Sequence, residues 1–216
     1  MPKRALIEHR PFLLASIAAA IAFYFLRDAA LPDLVKMLVK GAGVGLLAAY
    51  ALARFKGPDA RWIALVMALG AAGDIAIELW LEVGGALFFL GHLVAIAFYL
   101  RFPRPRRSAS QLALAAVLLV LTPLLCWLLS GGNAGVTLYG LGLGGMAASA
   151  WLSRFPRYRV GIGAVMFVAS DLLIFSRMGP VDLGILPWVL IWPLYYFGQF
   201  LICTGAIQQL RREHRA

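Results

Sequence analysis

Eight apolar runs, each close to the length of a bilayer crossing, constrain this chain more than any other feature of its sequence. A helix needs about 20 apolar residues to cross the hydrocarbon core of a membrane, and only a backbone that satisfies its own hydrogen bonds can do so. The sequence therefore predicts an all-α polytopic membrane protein, with eight transmembrane helices in one bundle and a single domain over residues 1–216. The predicted spans are residues 11–26, 33–53, 61–81, 84–101, 109–130, 133–152, 159–176 and 185–208.

The charged residues support this class and predict an orientation. The chain is 62% hydrophobic and only 14% charged, whereas a soluble domain carries roughly 25% charge. Its net charge of +10 comes from short clusters at every second connection, which is typical of cytoplasmic loops and not of a nucleic-acid-binding face. We therefore predict no nucleic-acid partner, both termini in the cytoplasm, and a bacterial inner membrane. The clusters lie in residues 3–10, 54–61, 101–107, 154–159 and 211–215.

The first span could be mistaken for a secretory signal peptide, because basic residues precede it and Asp28-Ala29-Ala30 follows it. We expect the span to be retained. Its removal would leave seven helices and break the alternation of the basic clusters.

Ionisable residues inside the predicted spans are the strongest functional signal, because they are costly in a bilayer. Counted along the helices, four of them reach one level in the outer half of the membrane, and we predict a shared polar cavity there. These four are Lys40, Asp74, His92 and Asp171. Glu78 is expected one turn beyond Asp74 on the same helix face, and the eighth span adds the polar side chains of Tyr195, Tyr196 and Gln199.

Each of these residues also has a purely structural interpretation. The aspartates and Gln199 could make interhelical hydrogen bonds, Lys40 could form a salt bridge, and His92 could be a satisfied core residue. Glu78 could be solvated, and the tyrosines could belong to an interfacial belt or to the core.

Metal and cofactor sites are not expected. Two of the three histidines, His9 and His214, fall at the predicted cytoplasmic ends, so a multi-histidine zinc site in the membrane is excluded. Cys126 and Cys203 lack ligand spacing and are interpreted as small buried hydrophobic residues. Ser170 has no nearby histidine in sequence to act as its base, and the chain has no phosphate-binding GxxxxGK loop.

The remaining pair of buried carboxyl groups, Asp74 and Asp171, cannot both ionise easily if they lie close together, so they would share a proton. Such a pair suits general acid/base chemistry, and it equally suits proton-coupled transport.

Three motifs in order resemble the YhhN family, which includes the lysoplasmalogenases. Gly73-Asp74, with Gly91-His92 and Tyr99 downstream, resembles the first motif, and Phe167-Val168-Ala169-Ser170-Asp171 resembles the second. Tyr195-Tyr196-Phe197-Gly198-Gln199 resembles the third. Lys40 resembles a family lysine that proline usually follows, although Gly41 follows it here. The resemblance covers roughly residues 33–208 and agrees with eight spans.

The resemblance implies a hydrolase that cleaves the vinyl ether bond of lysoplasmalogens, with a lysophospholipid substrate and Asp74 and Asp171 as the catalytic aspartate dyad. Protonation of the β-carbon and capture of the cation by water would require an acid and a second carboxylate, as in glycosidases. Lys40, Glu78, His92, Tyr195, Tyr196 and Gln199 would support the dyad or bind substrate.

A proton-coupled transporter or channel is the alternative function. It would need a polar path to both faces, and the inner halves of the spans are nearly free of ionisable groups. For the hydrolase we predict that the carboxyl groups of Asp74 and Asp171 lie within roughly 10 Å of each other. We further expect Lys40 or His92 beside one of them, and a cavity that opens to the outer leaflet.

Overall fold

The computed structural model describes residues 10–214, and over that range the chain folds into eight α-helices. They are α1 (Pro11–Leu26), α2 (Asp33–Arg54), α3 (Asp59–Ala76), α4 (Leu81–Leu100), α5 (Ala109–Leu129), α6 (Ala134–Leu152), α7 (Ile162–Ser176) and α8 (Leu186–Glu213). A π-helical turn, Arg157–Gly161, leads directly into α7. The predicted basic residues Lys3, Arg4 and Arg215, and also His9, lie outside the described residues.

The all-α prediction is confirmed, since a helix occupies each of the eight predicted runs. In the described part of the chain, five segments are long and apolar enough to cross a membrane: α2, α4, α5, the π-turn with α7, and α8. Helix α1 is apolar but has only 16 residues. Helix α3 contains Asp59, Arg61 and Asp74, and α6 is rich in glycine. A membrane crossing by all eight helices stays a prediction.

The end of α3 differs from the prediction. The helix ends at Ala76, and the amides of Leu79 and Trp80 both donate to the Ala76 carbonyl at 3.0 and 2.8 Å, which forms a tight turn. Glu78 therefore lies in this turn and not within α3, which ends five residues before the predicted end of the span at residue 81. Its expected position on the same face as Asp74 stays a prediction.

The chain divides into two compact units, which are described separately. One comprises the chain up to Gly91 together with the segment from Ile207, and the other comprises His92–Ala206. In the first unit, α2 contacts both α1 and α3, and the Ser16 hydroxyl of α1 donates to the Gly43 carbonyl of α2 at 2.5 Å. In the second unit, α6 contacts both α5 and α7.

Small residues bring α5 and α6 close together, as the Gly140–Gly144 spacing predicts. A Cβ atom on Gly144 would lie 2.6 Å from the Leu118 carbonyl oxygen, and one on Gly140 would lie 2.8 Å from the Cys126 sulfur. Real Cβ atoms do not approach other atoms this closely, so only glycine allows the observed contact. The close approach holds α6 in place within its unit, and with it the side chain of Tyr139.

Candidate functional site

Three polar side chains from three helices form a hydrogen-bonded chain inside the unit His92–Ala206. The Tyr139 hydroxyl of α6 donates to Oδ2 of Asp171 on α7 at 2.6 Å. Nε2 of His92 on α4 lies 3.0 Å from the same hydroxyl oxygen. We call these residues the His92–Tyr139–Asp171 relay.

The direction of the hydrogen bonds in the relay depends on where the Tyr139 and His92 protons lie. A tyrosine hydroxyl has one proton, and in this geometry it lies in the bond to Asp171. In the tautomer with a hydrogen on Nε2, His92 donates to the Tyr139 hydroxyl oxygen. In that tautomer the relay runs from His92 through Tyr139 to Asp171, and the carboxyl group is its final acceptor.

Aromatic rings hold the histidine of the relay in place. The His92 ring makes edge-to-face contacts with Tyr139 and Phe167, at centroid distances of 5.3 and 5.1 Å. Phe167 in turn contacts Tyr195 of α8 at 5.2 Å, while Tyr139 contacts Phe175 at 5.5 Å. Such contacts restrict ring rotation, which keeps Nε2 aimed at the tyrosine hydroxyl.

The members of the relay differ in exposure. His92 and Asp171 are buried, with 3% and 5% of their surface exposed, whereas Tyr139 is half-buried.

The polar side chains of α8 belong to the core. Tyr195, Tyr196 and Gln199 are all buried, and the Trp192 ring packs against both tyrosines at 5.7 and 6.1 Å. An interfacial belt position, one of the two alternatives for these tyrosines, does not agree with this burial.

Close contact between α7 and α8 positions the Asp171 helix. A Cβ atom on Gly198 would lie 2.7 Å from the Gly163 carbonyl oxygen, and a Cβ atom on Gly163 would lie 2.7 Å from the Gly198 carbonyl oxygen. The Ser170 hydroxyl donates to the Ile191 carbonyl of α8 at 2.9 Å. This bond gives the serine hydroxyl a structural partner.

In the other unit, Lys40 of α2 and Glu78 of the α3–α4 turn form an ion pair. Their Nζ and Oε1 atoms are 2.5 Å apart, and the side chains are 14% and 43% exposed. The Lys40 ammonium also lies 5.6 Å from the centroid of the Phe23 ring on α1. Glu78 is therefore both partly solvated and paired, and it neutralises the lysine.

Asp74 is 2% exposed and lies in the last turn of α3. It belongs to the unit that contains Lys40 and Glu78, whereas Asp171 belongs to the other unit. The predicted separation of the two carboxyl groups and the predicted cavity stay predictions.

Sequence reasoning missed Tyr139. The available signal was a phenol within a predicted span that otherwise contains mainly glycine and aliphatic residues. A buried hydroxyl needs a hydrogen-bond partner, and the nearest candidates were the histidine and the aspartates already singled out. Over residues 10–214 no group of three metal-binding side chains is found.

Comparison with known proteins gives consistent matches. The model of the YhhN family matches residues 35–206. Two proteins named lysoplasmalogenase, from Mycobacterium bovis and Mycobacterium tuberculosis, are each 34% identical to the chain over 175 residues. The matched region covers 74% of this chain and 66% of each relative, so the chain spans just under two thirds of their length. No solved structure matches the chain significantly.

Proposed function

This chain belongs to the YhhN family, and from that membership we propose that it hydrolyses the vinyl ether bond of lysoplasmalogen-type lipids. Two observations support the proposal. The matched relatives bear the name lysoplasmalogenase, and the His92–Tyr139–Asp171 relay provides a buried carboxyl group that is hydrogen-bonded to a phenol. The relay is the structural observation that carries the argument for acid/base chemistry.

The reaction needs a proton donor and a proton acceptor. A proton is added to the alkenyl carbon β to the ether oxygen, which leaves an oxocarbenium ion. Water adds to this cation and loses a proton, and the resulting hemiacetal collapses. The products are a fatty aldehyde and a glycerophospho-alcohol, and one water molecule is consumed. Paired carboxyl groups serve both steps in glycosidases, where the intermediate is also an oxocarbenium ion.

We assign the acceptor role to Asp171 and the donor role to Asp74. Asp171 accepts the Tyr139 hydrogen bond, which fixes the orientation of its carboxyl group. In its ionised form this group can oppose the positive charge of the oxocarbenium ion and take a proton from water. Asp74, which is buried on α3, is the remaining acid in the family motifs.

The other predicted residues receive supporting roles. His92 is proposed to orient Tyr139, and the buried side chains of Tyr195, Tyr196 and Gln199 are proposed to shape the site. The Lys40–Glu78 pair, with its half-exposed carboxylate, is proposed to contact the polar end of the substrate. A lysophospholipid carries a phosphate, which a lysine can bind.

The test is aldehyde release by purified protein from a 1-alkenyl lysophospholipid, with the matched 1-alkyl ether lipid as the substrate control. Asp74→Asn and Asp171→Asn should each lower kcat/KM by about 100-fold or more, the usual range for general acid/base groups. Asp182→Asn, at an exposed loop position, should retain activity. Absence of aldehyde release from several headgroup classes would contradict the substrate assignment.

The pairing of the aspartates needs its own experiment. A double variant, Asp74→Cys with Asp171→Cys, should be cross-linked by a bismaleimide with a spacer of roughly 10 Å, the separation proposed from two-carboxylate chemistry. Pairing Asp74→Cys with Asp182→Cys is the control. Equal cross-linking of both pairs would refute the dyad without affecting the substrate assignment.

We also propose that all eight helices cross a bacterial inner membrane with both termini in the cytoplasm. The basic clusters support this orientation. Single cysteines that replace Lys56 and Asp182 should react with an impermeant maleimide only from the cytoplasmic side and only from the outer side, respectively. The two residues are exposed and lie in connections on opposite predicted sides of the membrane.

A proton-coupled transporter is the alternative, and the relay is the observation that would favour it, since hydrogen-bonded chains of polar side chains conduct protons in pumps. Proton flux across liposomes that contain the protein, lost in Tyr139→Phe and accompanied by no aldehyde release, would support the transporter over the hydrolase.

A further inference from the structure

Two connections of the unit His92–Ala206 are joined into one surface. Residues 101–108 link α4 to α5, and residues 153–161 link α6 to α7. An antiparallel bridge pairs Pro103 with Ser153. Two backbone hydrogen bonds extend it, from Arg104 to the Leu152 carbonyl at 3.2 Å and from Arg154 to the Phe102 carbonyl at 2.8 Å.

The side chain of Arg104 fastens the two connections together. Its Nε donates to the Ser153 carbonyl at 3.2 Å and its Nη2 to the Phe155 carbonyl at 2.9 Å. Phe155 is fully buried and stacks on Phe98 of α4 at 5.2 Å. The loops therefore have a defined shape that is anchored to the helix core.

This surface carries an unusual excess of positive charge. It contains seven arginines and no acidic residue; we call it the arginine platform, and its members are Arg101, Arg104, Arg106, Arg107, Arg154, Arg157 and Arg159. The whole unit has only two acidic residues, Asp171 within α7 and Asp182 in the α7–α8 connection. Burial and the neighbouring charge of Arg157 lower the pKa of Arg104, so like charges lie close enough to repel.

Apolar surface begins immediately beside these arginines. Leu100 at the end of α4 is 67% exposed, Leu112 in the first turn of α5 is 48% exposed, and Ile162 at the start of α7 is 38% exposed. An exposed leucine directly next to a cation is expected where a lipid headgroup gives way to its acyl chains.

We propose that the arginine platform binds an anionic phospholipid, with the phosphodiester on the arginines and the acyl chains against the exposed leucines and isoleucine. Arginine guanidinium groups match the oxygens of a phosphate, seven of them lie on these two joined connections, and the bound anion would relieve the repulsion between Arg104 and Arg157. Nucleic acid or free phosphate would use the arginines alone and leave the apolar flank without a function. The proposal is independent of the catalytic activity.

The test uses the full chain in detergent. Native mass spectrometry would be recorded during titration with phosphatidylglycerol, and separately with phosphatidylcholine of the same acyl chains. We expect phosphatidylglycerol to be retained at concentrations at least about tenfold lower, because only it carries a net negative charge that the platform can neutralise.

Arg106→Gln with Arg107→Gln removes two exposed cations that make none of the bridge hydrogen bonds described above. Each basic residue near an anionic lipid surface contributes about 1 kcal/mol to binding, so each of the two substitutions should weaken binding about fivefold. The double variant should therefore raise the half-saturating phosphatidylglycerol concentration about 25-fold. The matched control, Lys56→Gln with Arg61→Gln, removes two exposed cations, one from the α2–α3 connection and one from the first turn of α3, and should change binding less than about twofold.

Three results would overturn the proposal. They are equal retention of both lipids, an equal loss in the two double variants, and displacement of phosphatidylglycerol by inorganic phosphate or a short DNA duplex at a lower concentration. Unchanged thermal unfolding of both double variants would verify that they fold.

Discussion

Replacement of Tyr139 by phenylalanine isolates the relay, because it removes one oxygen atom and keeps the ring. The contacts with His92 and Phe175, at 5.3 and 5.5 Å between centroids, remain available to phenylalanine. The two hydrogen bonds, at 2.6 Å to Asp171 and 3.0 Å to His92, are both lost. The variant therefore tests the hydroxyl group alone.

The expected magnitude follows from the bond to the carboxylate. A hydrogen bond to a charged group contributes about 1.5–3 kcal/mol, which corresponds to about a 10- to 150-fold loss of rate if the bond acts in the transition state. We expect this loss in kcat for aldehyde release, with KM changed by less than about threefold, because the proposed role is to support the acceptor and not to bind substrate.

Tyr158→Phe is the matched control, since this tyrosine is 77% exposed and its hydroxyl should contribute nothing to the rate. Unfolding in detergent must be measured for both variants. A wild-type kcat in Tyr139→Phe would refute the role of the relay, and a fall in kcat matched by a fall in folded protein would show that the hydroxyl is only structural.

Three further predictions concern stability in detergent. Gly144→Ala should destabilise the fold by about 1–3 kcal/mol, because the added Cβ would lie 2.6 Å from the Leu118 carbonyl oxygen. Gly85→Ala, where an added Cβ meets nothing within 4 Å, should not destabilise the fold. Equal effects of the two substitutions would contradict the packing argument. A double-mutant cycle of Lys40→Met and Glu78→Gln should give a coupling of only about 0.2–1 kcal/mol, because Glu78 is 43% exposed; a larger value would indicate a drier site. Arg104→Lys should lower the unfolding temperature because lysine cannot span both carbonyls, whereas exposed Arg106→Lys should not.

The helices were predictable because each depends on local composition. A run of apolar residues of the required length forms a helix in a membrane wherever its neighbours lie, so all eight appear close to their predicted positions. The turn that contains Glu78 was not predictable in this way. The amides of Leu79 and Trp80 both donate to the Ala76 carbonyl, and an apolar run does not specify where such a shared acceptor ends the helix.

The candidate site was predicted in part. His92 and Asp171 stood out because ionisable groups are rare in apolar runs, and within their unit they prove to be one hydroxyl apart. Between His92 and Asp171 the connection is a bridge through Tyr139, and a basic group beside Asp74 stays a prediction. A tyrosine is common in membrane helices for several reasons, so its type alone gave no indication of this role.

What the sequence determined by itself is therefore what composition and periodicity encode: the class, the helices and the unusual polar residues. Only the tertiary structure decided the partners, because the rotation of each helix about its axis depends on side-chain packing with its neighbours. That rotation brings Tyr139 between His92 and Asp171. In the two basic connections, backbone hydrogen bonds between residues about 50 positions apart decide which arginines share a surface, and the spacing of charges along a chain cannot specify such bonds.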